Sequence, residues 1–143
     1  MSRPLGLVAG AVLALVLAGC GNDEAGLGIP TENLVEPPSA ASEPIEGELH
    51  VSGNGCFHVV VDGVQHVVVW PEGFRQDSAV VIGADGSRYS GGDALSGEGW
   101  VRPADDVIDA ADGPDGYMGA IIGYCAEEDE LVVVFESLVA GQD

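Results

Sequence analysis

The sequence predicts an all-β fold, a small closed barrel or a sandwich, and three observations predict it. From Gly47 onward, valine-rich runs of strand length are punctuated by glycine. Two Asp-Gly pairs, Asp62-Gly63 and Asp85-Gly86, fall between such runs and are strong signals for a two-residue hairpin loop. Around the first pair both faces of the hairpin are largely apolar, which suits a barrel or sandwich better than a sheet with one face in water.

Taken in order, residues 48–51 read as a first strand, Ser52-Gly53-Asn54-Gly55 as a turn, and residues 56–61 and 64–70 as the arms of a hairpin closed by Asp62-Gly63. With a two-residue loop, Phe57 faces Val68 and Val59 faces His66. Phe57, Val59, Val61, Val64, His66, Val68 and Trp70 then share one face, and Cys56, His58, Val60, Gln65, Val67 and Val69 the other. Trp70-Pro71-Glu72-Gly73-Phe74 ends that strand, because proline cannot donate to a ladder and glycine permits the turn. Residues 79–82 form the next strand, and Asp85-Gly86 turns it into 87–90. Gly91-Gly92-Asp93 leads into 94–101, a glycine-broken strand of the kind that turns a barrel corner. Residues 103–116 are the least regular part, with a short helical turn around 105–110. Residues 117–125 and 131–139 are read as two closing strands. Frequent short strands favour an OB-like barrel.

The N-terminal part carries a different signal. Met1, Ser2 and Arg3 form a short positive start, an apolar run from Leu5 to Leu17 follows, and Leu17-Ala18-Gly19-Cys20 closes it ahead of polar Gly21-Asn22-Asp23-Glu24. This resembles the lipobox of bacterial lipoproteins. The resemblance implies cleavage before Cys20, a diacylglyceryl group on its thiol, and a location on the extracytoplasmic face of a cell membrane. A membrane span would need roughly 20 apolar residues, more than this run offers. The expected organisation is a signal peptide over 1–19, lipidated Cys20 with an acidic, proline-containing disordered tether over 20–46, and one β-domain over 47–143. As a flexible coil such a tether spans on the order of 30 Å.

Charge narrows the partners. The chain has 143 residues with 24 Asp and Glu against four basic residues, Arg3, Arg75, Arg88 and Arg102, for a formal charge of −20. Such a surface is a poor partner for phosphate backbones, so no nucleic-acid partner is expected, and the membrane is engaged through lipid alone. Solubility in an exposed location is the ordinary meaning of this charge, and attraction of cations or basic partners the sharper one. With Cys20 lipidated, Cys56 and Cys125 remain as an even pair that an exporting compartment would oxidise to a disulfide. The chain-entropy argument assigns so long a loop roughly 4 kcal/mol.

Candidate chemistry is sparse. Asp105, Asp106, Asp109, Asp112 and Asp115 crowd one segment and supply the oxygen ligands calcium takes, though not at EF-hand spacing; a solvated acidic loop is the plainer reading. Trp70, Phe74 and Trp100 are candidates for an aromatic platform that binds a glycan or peptide, or for plugs of the barrel core. His58 and His66 point to opposite faces, so they cannot share a metal, and His50 lies on another strand. Signatures of serine hydrolases, zinc peptidases and phosphate-binding loops are missing from the sequence.

The pattern Gly55-Cys56, Val69-Trp70-Pro71-Glu72-Gly73, Asp85-Gly86 and Gly92-Asp93 is also similar to small secreted bacterial modules without established activity. That likeness implies no catalytic residues. The expectation is a monomeric, membrane-anchored lipoprotein that acts as a binding or envelope-associated module for an envelope protein or glycan. It needs no cofactor beyond the lipid on Cys20, with calcium as a candidate ion. The competing expectation is a cell-wall or extracellular hydrolase using a carboxylate pair. An inhibitor presented on the surface would instead show an exposed rigid loop near the disulfide.

Overall fold

The computed structural model describes residues 28–128 and 130–139. The signal peptide expected over 1–19, the lipidation expected at Cys20 and the first part of the expected tether lie outside the described residues. Five strands close into a barrel: β1 (Glu43–Val51), β2 (Phe57–Val61), β3 (Val64–Val69), β7 (Ala94–Pro103) and β8 (Leu131–Val139), in the spatial order β1-β2-β3-β8-β7 and back to β1. Every pairing is antiparallel except β3 with β8. Between β3 and β7 lies a small antiparallel sheet of β4 (Arg75–Asp77), β5 (Val80–Ile82) and β6 (Arg88–Tyr89), and between β7 and β8 lie helices α1 (Ala104–Asp109) and α2 (Tyr117–Cys125).

The β2-β3 hairpin has the register its loop predicts, with His58 opposite Val67, Val59 opposite His66, and Val61 opposite Val64. Asp62 and Gly63 both have positive φ, 50° and 81°, as a type I′ loop requires. The two apolar faces have two destinations. Phe57, Val59, Val68 and Trp70 enter the barrel with Val133 and Phe135, while Val67 and Val69 pack outside it with Val132, Val134 and residues of the helices. On β7, side chains at Gly97 and Gly99 would collide with the main-chain oxygens of Ser137 and Val134. A register shift between Glu98 and Gly99 marks the corner where that strand bends.

Two expectations are corrected here. Residues 117–125, read as a strand, are helix α2. Met118, Ile121 and Ile122 are buried and Cys125 is half-buried, which is the 3.6-residue period of a helix laid on a sheet. Asp112 starts that helix: its carboxylate accepts the main-chain N–H groups of Tyr117 (2.7 Å) and Met118 (3.3 Å). The tether assigned to 20–46 is also shorter than expected. Residues 28–42 form a strap along the barrel, where Trp70 donates its N–H to Pro30 O, Glu32 to Trp70 O and Glu36 to Ala110 O, and β1 begins at Glu43. Ile29, Val35 and Ile45 are buried beneath or beside it. They follow no sequence period because Ile29 and Ile45 join the cluster inside the barrel and Val35 the one outside it.

Candidate functional site

Cys56 and Cys125 form a disulfide with a Cα–Cα distance of 5.6 Å, joining the start of β2 to the end of α2. Together with the Asp112 cap it holds α2 against the outer face of the sheet. The turn after α2 is closed by hydrogen bonds between Glu127 and Glu130, and Ala104 N–H donates to Glu130 O at 3.1 Å. Between α1, α2 and the start of β8 this leaves a cleft of about 540 Å³. Of its lining residues, buried Ile122 and half-buried Ala104, Ile108 and Ala126 give it an apolar floor, and Asp105, Glu127, Glu128 and Glu130, with exposed Leu131, line its edge. None of its lining residues is basic. An apolar floor under four carboxylates favours a ligand that is both aliphatic and positively charged.

The residues singled out in the sequence are dispersed. Asp105, Asp106 and Asp109 lie on α1, Asp112 is committed to capping α2, and Asp115 is in the following turn. Among the described residues no three histidine, cysteine or carboxylate side chains come together as a metal cage. Of the two readings of the aromatic residues, the core plug fits Trp70 and Phe74. Trp70 is fully buried, edge-on to Phe57 and stacked on Phe74 at 6.0 Å, whereas Trp100 lies with the outer cluster and donates its indole N–H to Ala40 O at 2.9 Å. Trp70 and Phe74, with Tyr89, plug the barrel end under the small sheet. His58 and His66 lie on opposite faces, and each binds a main-chain carbonyl, of Cys125 and Leu131 respectively.

One carboxylate stands apart electrostatically. Partial burial, then the charges of Glu72 and Glu136, hold Glu32 above its ordinary range, against the lowering effect of the Glu72 N–H. It belongs to the strap, not to the cleft. Sequence reasoning named Asp105 for a different role and missed the cleft, because its floor depends on α2 being helical. The signal available was the spacing of Met118, Ile121, Ile122 and Cys125. Comparison with family models, with curated proteins and with solved structures finds no match to this chain.

Proposed function

We propose that the protein is a lipid-anchored, extracytoplasmic binding module that holds a basic, partly aliphatic segment of an envelope protein in the cleft between α1, α2 and β8. The observation that carries this reading is the pairing of the apolar floor with the carboxylates of Asp105, Glu127, Glu128 and Glu130, without a basic residue in the lining. The overall charge of −20 supports it by drawing cations towards the whole surface. The lipobox resemblance at Leu17-Ala18-Gly19-Cys20 supports the location. Because the strap is already packed from Gly28 onward, the chain from Cys20 reaches at most about 28 Å. A lipid there would keep the barrel close to the headgroups, where juxtamembrane segments of other envelope proteins are at hand.

The test uses full-length protein in detergent and short peptides that alternate lysine with leucine. Binding is expected to weaken with salt and to fall about tenfold in the combined Glu127→Gln, Glu128→Gln, Glu130→Gln variant, with Ile108→Ser also weakening it. Equal binding by the variants sinks the cleft as the site. A hydrolase working through a carboxylate pair would instead centre on Glu32 with Glu72 or Glu136. In that case Glu32→Gln would abolish turnover of cell-wall material, whereas the binding reading expects it to bind peptide as the wild type does. For the anchor, Cys20→Ser is expected to move the protein from the membrane to the soluble fraction.

A further inference from the structure

The cross-strand histidines of β1 and β2 are not part of the cleft, and we propose that His50 and His58 form an open binding site for a divalent transition metal, Cu(II) foremost. The register places His50 directly opposite His58, so both project from one face of the sheet, with ring centroids 6.5 Å apart. In a neutral imidazole one nitrogen donates and the other keeps a lone pair. The carbonyl of Cys125 can only accept, so its position 3.3 Å from His58 Nε2 puts the ring proton there. Nδ1 is thereby left as a bare lone pair, buried and without a hydrogen-bond partner among the described residues.

A histidine that donates one ring N–H to a main-chain carbonyl, with the other nitrogen free, is oriented as metal-ligating histidines are. Here the carbonyl belongs to a cysteine fixed by a disulfide to Cys56, immediately before the strand that carries His58, so the ring is held rather than wandering. His50 is exposed and can turn. Metal–nitrogen bonds of about 2 Å at neighbouring positions require the two ring centroids to approach by roughly 2 Å, which a change of the His50 rotamer supplies. Glu48 is exposed two residues before His50, on the same face of β1, and adds a negative field. The site offers two imidazoles and leaves its other positions to water, an arrangement of nitrogen and oxygen that suits tetragonal Cu(II), the tightest-bound ion of the first-row divalent series.

The experiment titrates full-length protein in detergent with copper sulfate alone, followed by electron paramagnetic resonance. The expected result is one Cu(II) per chain with hyperfine structure from two nitrogens. His50→Ala, at an exposed position that leaves the core untouched, should lose one nitrogen and bind about tenfold more weakly or worse. His58→Gln should lose both the second nitrogen and the remaining affinity. Unchanged affinity and unchanged nitrogen structure in His50→Ala would overturn the proposal. So would an all-oxygen spectrum for the wild type, which would assign the ion to surface carboxylates, or no binding at all.

Discussion

The apolar cluster inside the barrel and the one outside it are built from alternate residues of the same strands, yet they are sealed by different means. Val68, Val133 and Phe135 point inward and are enclosed by hydrogen-bonded strands on every side; Val67, Val69, Val132 and Val134 point outward and are covered by α1, α2 and the strap. The inner cover is continuous with the sheet, so it cannot be removed without breaking the ladder. The outer cover is attached at separate points: the Cys56–Cys125 disulfide, the Asp112 cap and a few main-chain hydrogen bonds from residues 30–36. The proposed binding cleft lies in this outer layer, the part of the molecule built to open at lower cost.

The largest expected effect tests the inner region. Trp70 is fully buried and meets Phe57, Phe74 and Tyr89 at centroid distances near 6 Å, which ties the barrel to the small sheet above it. Trp70→Ala is expected to cost about 4 kcal/mol, read as a lower denaturant midpoint for the whole domain. Trp100→Ala, in the outer cluster, should cost about half as much, since its ring is only half-buried and it loses one hydrogen bond to Ala40. Equal costs would mean that the strap belongs to the same cooperative core as the barrel.

Next in size is removal of the disulfide. The Cys56→Ala, Cys125→Ala double variant should lose about 3 kcal/mol, below the chain-entropy figure for a sequence separation of 69 residues because the reduced unfolded chain retains some structure. The comparison sharpens in how that loss is distributed. Hydrogen exchange should speed up most at α2 and at the β2 amides around His58, with β3 and β8 changing least. A uniform loss of protection would show that inner and outer regions open as one unit.

The same division explains what the sequence made legible. The β2-β3 hairpin was readable to the residue because Asp62-Gly63 fixes the loop, the loop fixes the register, and alternation then assigns every side chain to a face. Both faces being apolar was readable too, but not what covers the second one. Residues 117–125 are short and almost wholly apolar, so alternation and helical period compete, and the deciding contact, the Asp112 carboxylate at the N-terminus of α2, belongs to a segment read as a calcium candidate. The strap over 28–42 gave no periodic signal because its main-chain bonds go to Trp70 and Ala110, far away in sequence. β4 was missed for a different reason: its Arg75-Gln76-Asp77 is polar and only three residues long, and it pairs only with β5. The cleft depends on α2 and the strap's neighbours being placed, so it was invisible until the outer layer was known.

The smallest effect probes the piece that joins the two regions. Glu32 sits in the strap, where its N–H binds Trp70 O, and its carboxyl is held above the ordinary range first by burial and then by Glu72 and Glu136. A raised folded-state pKa means the folded protein binds that proton more tightly than the unfolded chain. The resulting stability is present below the unfolded value and is lost as pH rises through the folded one. At neutral pH an ionised Glu32 is therefore a cost, and Glu32→Gln should raise Tm by about 2 °C, a modest shift because the side chain is largely solvated and its interactions are screened. Below the ordinary carboxylate range the difference should vanish. Salt separates the causes, since it weakens the repulsion from Glu72 and Glu136 but not the desolvation. A gain that persists in high salt assigns the effect to burial of the strap against the barrel, and a gain that disappears assigns it to the neighbouring charges.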